Sequence, residues 1–163
     1  MSLASRPYYS GGCQCGAVRF HIEGALGRAS VCHCRMCQKA MGNFYAPFVQ
    51  LGHAKFTWTR GEPKHFASSN DARRGFCADC GTPLTFEASD GIGVAIATFD
   101  EAEEIAPVIA WGLEAKLPYV DDVPDLPGHA TSDDPDLQGI LPTLVSYQHP
   151  DYDTEIWPPE DKA

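Results

Sequence analysis

The sequence has no apolar run of the length that a membrane-spanning helix needs, about 20 residues. Its first ten residues also lack the basic start and apolar stretch of a secretory signal peptide. We therefore expect no membrane partner and a cytoplasmic location, where thiols stay reduced. The chain contains no Ser–His–Asp pattern, phosphate-binding loop or dinucleotide-binding fingerprint, so its chemistry does not follow those common classes.

Positive charge is also scarce: 12 lysine and arginine residues stand against 22 acidic residues, so the net charge is −10. Residues 1–120 carry eleven basic and eleven acidic side chains, whereas residues 121–163 carry one lysine and eleven acidic side chains. Binding to phosphates needs clustered lysine and arginine, and no basic stripe is present. The charge pattern therefore predicts no nucleic-acid partner, and the acidic excess favours solubility.

Cysteine, in contrast, is abundant: seven cysteines form a CxC pair, a CxCxxC trio and a CxxC pair. An odd number argues against a complete set of disulfides, and a bridge within CxC would close a strained ring. Isolated buried cysteines can pack as small apolar residues, but grouped spacings of this kind are typical of metal sites. The pairs are Cys13 with Cys15 and Cys77 with Cys80, and the trio is Cys32, Cys34 and Cys37.

The grouping favours a division into four plus three, although spacing alone leaves other partitions open. Two pairs make a closed four-sulfur site. In an extended segment Cys32 and Cys34 project from the same face, and a helical turn can bring Cys37 beside them. Three thiolates with no fourth local ligand describe a tetrahedral metal site with one open position, as in reactive zinc centres.

Short strands separated by turn signals dominate the rest of the sequence, which predicts a mainly β fold. Residues 35–41 have the composition of one short helix that ends at Gly42. Pro47 indicates that its strand lies at a sheet edge or contains a bulge. Gly16 and Gly81 directly follow the two pairs, where positive φ turns backbone N–H groups towards the sulfurs.

We predict two regions: a zinc-binding β domain over residues 1–120, and an acidic, proline-rich extension over residues 121–163 that packs on the same domain. The chain changes character from Leu117 onwards, where prolines interrupt acidic and apolar segments. We expect it to be irregular, and it is a candidate lid over the trio.

The three cysteine motifs, in this order, resemble those of the glutathione-dependent formaldehyde-activating enzyme family. The matching segments are residues 12–16, 32–38, 76–84 and 116–119. The resemblance implies the fold called Mss4-like or β-tent, in which small antiparallel sheets are held together by zinc, with short helices and an irregular C-terminal tail. It also implies two Zn²⁺ ions per chain: a structural zinc on Cys13, Cys15, Cys77 and Cys80, and a catalytic zinc on Cys32, Cys34 and Cys37.

The same resemblance implies a carbon–sulfur lyase similar to S-(hydroxymethyl)glutathione synthase. Such an enzyme reversibly adds the thiol of glutathione to formaldehyde or a related aldehyde, so its partners are a small-molecule thiol and aldehyde. Three thiolates bring zinc to a net charge of −1, which favours capture of the thiol over polarisation of the carbonyl. Three alternatives stay open: displacement of the metal by the thiol, a different aldehyde or thiol, and a non-catalytic zinc-stabilised binding module or thiol or metal sensor.

Other residues near the trio are candidates for binding the substrate. Arg35 and Lys39 are placed to attract the carboxylates of glutathione, or they belong to a solvated turn. His33 lies between two ligands in an extended segment, so its ring points away from the metal and serves either proton transfer or packing. Arg73 and Arg74 bind carboxylates or flank the second pair. The oligomeric state does not follow from the sequence.

Overall fold

The computed structural model describes residues 8–158, so the two predicted regions each extend beyond the described residues at one end. The described chain contains one α-helix and ten strands, which confirms the mainly β fold. In chain order the elements are β1 (Tyr8–Gly12), β2 (Arg19–Glu23), β3 (Ala29–Cys32), α1 (Arg35–Met41), β4 (Ala46–Gln50), β5 (Lys55–Arg60), β6 (Lys64–Ala67), β7 (Arg73–Phe76), β8 (Pro83–Ala88), β9 (Gly91–Ala95) and β10 (Ile109–Trp111).

Two sheets form the body of the fold. The first has three antiparallel strands in the order β1-β2-β5, and the second has seven strands in the order β10-β3-β4-β9-β8-β7-β6. Strand β10 pairs with β3 in parallel, whereas the other pairings are antiparallel. Apart from this one parallel pair, the second sheet is antiparallel, in agreement with the expected fold class. The parallel pairing brings the chain back beside the strand that carries the cysteine trio.

Pro47 shows how an interior strand can contain a proline. Strand β4 lies between β3 and β9, so the expected edge position is wrong for the strand as a whole. However, Pro47 pairs only with Val31 of β3, and the pairing of β4 with β9 begins at Phe48. One side of the strand is thus unpaired at Pro47, which is the kind of position where a sheet tolerates a residue without an N–H.

The main core lies between the sheets and contains Phe20, Ile22, Val49, Val94 and Ile105, each exposed by 2% or less. Alternation along β2 places Phe20 and Ile22 in the core and leaves His21 half-buried. Full burial of such side chains contributes roughly 1.5–3 kcal/mol each. The core therefore fixes the sheets from which both cysteine clusters project.

The helix α1 agrees with the prediction, since it ends at Met41 and Gly42 forms the cap with φ of 59°. The Gly42 N–H donates to the Gln38 carbonyl. A helix of seven residues is marginal by itself, so packing must hold it in place. Its buried face consists of Cys37 and Gln38, which ties the helix directly to the trio.

The end of the C-terminal extension lies against the first cysteine pair and not over the trio. The backbone N–H of His149 donates to the Gln14 carbonyl at 2.8 Å, and the Trp157 indole donates to the Cys15 carbonyl at 2.7 Å. Between Leu117 and this contact the chain forms only 3-10 turns. None of the helices between residues 8 and 158 has the length and apolar character that crossing a membrane requires.

Candidate metal centres

The first cluster contains Cys13, Cys15, Cys77 and Cys80, whose sulfur atoms all lie within 4.8 Å of one another. The Sγ–Sγ distances are 3.6 Å for Cys13–Cys15 and 3.8 Å for Cys15–Cys77. Zinc with Zn–S bonds of about 2.3 Å in a tetrahedron requires sulfurs about 3.8 Å apart. The four cysteines, which the structure shows as free thiols, therefore fit a closed zinc site.

The backbone has the same geometry around both cysteine pairs of this cluster. The first cysteine of each pair donates its N–H to the carbonyl five residues later, at 2.9 and 3.0 Å. Gly16 and Gly81 have φ of 77° and 78°, which confirms the predicted left-handed glycine after each pair. The Val18 N–H points at the Cys13 sulfur at 3.3 Å. Such donors stabilise thiolate ligands.

The thiols of this cluster differ in acidity. Burial raises the pKa of Cys13 and, to a smaller degree, that of Cys15. Burial would also raise the pKa of Cys80, but the Thr82 hydroxyl at 3.1 Å and backbone N–H groups lower it to about 6. A metal must therefore displace protons from Cys13 and Cys15, so its binding is expected to weaken at low pH.

The second cluster contains Cys32, Cys34 and Cys37, whose sulfur atoms also lie within 4.8 Å of one another. Cys32 ends β3, Cys34 precedes α1 with extended φ and ψ of −60° and 150°, and Cys37 lies in the first turn of α1. No further histidine, cysteine or carboxylate side chain between residues 8 and 158 joins this cluster. The three sulfurs thus suit a tetrahedral metal with one position left for another ligand.

The environment of the trio favours ionisation at one position. Burial raises the pKa of Cys32 to about 12 and raises that of Cys37 despite the nearby Arg74. Burial opposes ionisation of Cys34 as well, but the Cys37 N–H and the neighbouring thiols lower its pKa below the ordinary value. In the metal-free cluster, Cys34 is therefore the most readily ionised of the three thiols.

Gln38 connects the trio to a later segment of the chain. The residue is 2% exposed, and its side-chain amide donates to the His33 carbonyl at 2.7 Å and to the Ala115 carbonyl at 3.0 Å. The Trp111 carbonyl in turn accepts from the His33 N–H at 2.8 Å. These bonds fix the backbone between Cys32 and Cys34 and hence the direction of both sulfurs.

Gly112 allows the later segment to pass directly over the trio backbone. It has φ of 66°, and a Cβ at this position would lie 2.7 Å from the Cys34 nitrogen. Any other residue would combine an unfavourable φ with this overlap. The sequence gives no local signal for this role, because residues 34 and 112 come together only through the parallel pairing of β3 and β10.

The predicted substrate-binding residues occupy different environments. His33 is 5% exposed, its ring meets the Tyr45 ring edge-on at 5.4 Å, and its ring nitrogens lie outside the cluster. Arg35 is exposed and donates to the Gln38 side chain at 3.1 Å, and Lys39 is exposed on the same helix. Thus Arg35 and Lys39 are exposed on α1, the helix that carries Cys37, whereas the ring of His33 is enclosed.

Arg74, predicted either to bind carboxylates or to flank the second pair, makes a direct side-chain contact with the trio. The Nη2 of Arg74 donates to the Cys37 sulfur at 3.4 Å. Its position three residues before the CxxC pair was a signal of proximity to the first cluster, but the structure turns its side chain to the second.

Residues 8–113 match the family model of the glutathione-dependent formaldehyde-activating enzyme. The chain belongs to this family. A relative from Schizosaccharomyces pombe, named as an uncharacterized lyase, is 31% identical over 85 residues, covering 52% of this chain and 61% of the relative. The match therefore spans less than two thirds of that protein. A crystal structure of a Rhodobacter sphaeroides protein is 23% identical, covers 62% of this chain and 98% of its own, and has a TM-score of 0.45.

Proposed function

We propose that this family member is a zinc-dependent carbon–sulfur lyase that reversibly adds a small thiol to formaldehyde or a related aldehyde. The observation that carries the proposal is the difference between the clusters: one has four sulfurs, and the other has three with no fourth side-chain ligand among residues 8–158. A tetrahedral metal on the trio would keep one position for the incoming thiol. Family membership supports glutathione and formaldehyde as the pair, giving S-hydroxymethylglutathione.

The trio residues supply the site for the thiol. When bound by Cys32, Cys34 and Cys37, zinc would supply affinity for a thiolate over the protonated thiol. The three cysteines would act as thiolates and leave a net charge of −1, so we assign them to capture and orientation of the substrate sulfur. Gln38 and Gly112 hold the backbone of the trio, which keeps the sulfurs in one geometry.

The reaction needs no oxidant or reductant. A C–S bond forms between the thiol sulfur and the carbonyl carbon, and the thiol proton ends on the carbonyl oxygen; the reverse reaction breaks the same bond. Holding the two reactants together removes much of the entropic barrier. Arg35 and Lys39 are proposed to attract the carboxylates of glutathione, because both side chains are exposed on the helix that carries Cys37. The enclosed ring of His33 is assigned to packing against Tyr45.

The test is the rate of exchange between ¹³C-formaldehyde and its glutathione adduct, measured by exchange NMR against the uncatalysed rate. We expect the wild-type protein to accelerate exchange and Cys34→Ser to lose the acceleration while keeping the metal of the four-cysteine cluster. Met36→Leu is the matched control, since Met36 is 58% exposed next to the trio and offers no ligand to it. Wild-type protein that carries both metals and accelerates exchange for none of several aldehydes and thiols would instead support the binding module or sensor.

A further inference from the structure

Arg74 is a buried cation without a carboxylate partner among residues 8–158. The residue is 8% exposed, and none of the ion pairs of the described chain includes it. The comparison with Arg19 shows how unusual this is, since Arg19 is 3% exposed and pairs with Asp100 at 2.6 Å and Asp153 at 2.9 Å. Burying an unpaired charge is costly, so a source of negative charge other than a carboxylate is needed near Arg74.

The contacts of Arg74 identify that source. Its Nε donates to the neutral Ser68 hydroxyl at 3.0 Å, and its guanidinium carbon lies 4.8 Å from the centre of the Phe86 ring. Its Nη2 donates to the Cys37 sulfur at 3.4 Å. Of these three groups, only the thiol of Cys37 can carry a full negative charge. The Nη1 atom is buried and has no hydrogen-bond partner within the described chain, so the guanidinium keeps unused donor capacity at this site.

Whether the charge of Arg74 is balanced depends on whether the trio thiols are protonated or ionised. Three protonated thiols would leave the guanidinium charge unbalanced, whereas three thiolates around a divalent metal carry a net −1 that Arg74 neutralises. We infer that Arg74 is the counter-ion of a metal–thiolate centre at Cys32, Cys34 and Cys37, and that it thereby sets the affinity of this centre for metal and for an incoming thiolate. The inference rests on the proposed function only in treating the trio as a metal centre.

This role makes Arg74 a positioning residue, because it acts on the centre through Cys37. A fourth thiolate would bring the centre to −2, and Arg74 would offset half of that charge. The alternative explanation is structural: the Arg74 side chain only packs over the aromatic ring of Phe86 and has no effect on the metal centre. The two explanations differ in which variants lose metal, and metal content can be measured without any turnover.

The experiment compares Arg74→Met and Arg74→Lys as purified holoproteins, with zinc per chain counted by elemental analysis along a chelator titration. Arg74→Met keeps the length of the side chain without its charge, so the thiolates of the trio lose their buried counter-charge and the effect falls on metal binding. We expect Arg74→Met to lose one zinc at a chelator concentration at least tenfold lower than wild type and to keep the other. Arg74→Lys keeps the charge and is expected to stay within about threefold of wild type, a difference of less than 1 kcal/mol.

Arg73→Met is the matched control, because Arg73 lies on the same strand with its side chain 60% exposed and pairs with Glu87. It is expected to behave as wild type. Equal loss of zinc from the methionine and lysine variants of Arg74, or no loss from either, would overturn the inference. Should Arg74→Met not fold, Arg74→Gln is the second neutral variant and is expected to lose the same zinc. Failure of both neutral variants to fold would assign Arg74 to the fold and also overturn the inference.

The zinc measurement separates this inference from the proposed function. Weaker zinc binding in Arg74→Met, together with no exchange activity in wild type, would refute the lyase and leave the counter-ion in place. Normal zinc binding in Arg74→Met, together with wild-type exchange activity, would refute the counter-ion alone.

Discussion

Replacement of Gly112 by alanine should disturb the trio selectively, because Gly112 is both in the left-handed region and in contact with Cys34. Its φ of 66° alone makes an alanine unfavourable by about 1–2 kcal/mol. The added Cβ would lie 2.7 Å from the Cys34 nitrogen, so that β10 and the trio must move apart. Overpacking of this kind costs roughly 1–3 kcal/mol more. We therefore expect Gly112→Ala to be less stable by about 2–5 kcal/mol and to bind the trio metal more weakly.

Gly42→Ala provides the matched control for this prediction. Gly42 has a similar φ of 59° at the end of α1, but a Cβ there would meet no atom within 4 Å. It should cost only the backbone strain of about 1–2 kcal/mol and leave both metals bound. Urea unfolding and zinc per chain, measured on both variants, give the comparison. Equal stability of the two variants, with both zincs kept in Gly112→Ala, would refute the contact between Gly112 and the trio backbone.

Two further outcomes test the cluster assignment and the position of the extension. Cys34→Ser should keep its circular dichroism spectrum and lose one metal, whereas Cys77→Ser should unfold, since structural zinc in small domains contributes about 10 kcal/mol or more; a folded Cys77→Ser without zinc would contradict this. Burial opposes ionisation of Asp153, but Arg19 and His21 lower its pKa below the ordinary 3.8. The ionised carboxylate therefore stabilises the fold above that value and loses this effect as pH falls through the lowered pKa. Asp153→Asn should thus be less stable than wild type at neutral pH, by about 1 kcal/mol or less for a side chain 44% exposed, and the difference should close as the pH falls through the lowered pKa of Asp153; a constant difference would argue against the ion pair.

Local features of the chain were predictable from the sequence, since their causes lie within a few residues. The spacing of Cys32, Cys34 and Cys37 determines which sulfurs can meet, and the helix that ends at Gly42 follows from composition and one glycine. The positive φ of Gly16 and Gly81 follows from the turn that each cysteine pair requires. In all these cases short-range geometry leaves few alternatives.

Contacts between distant segments were not predictable, because no local pattern specifies them. The bond from Arg74 to Cys37 depends on how the seven-stranded sheet brings β7 towards α1. The passage of Gly112 over Cys34 depends on the parallel pairing of β10 with β3. The extension was a candidate lid for the trio, yet His149 lies at the first pair. An acidic, proline-rich sequence indicates irregular structure without indicating the surface it covers.

The central claim is that one chain carries a closed four-cysteine metal site and an open three-cysteine metal site. The most direct test counts zinc per chain by elemental analysis, and glutathione sulfur bound per zinc, before and after dialysis against millimolar glutathione. We predict two zincs at the start, with glutathione either bound at the trio or displacing one zinc while the fold is retained. A single zinc on Cys13, Cys15, Cys77 and Cys80, with a trio that binds neither metal nor glutathione, would contradict the account.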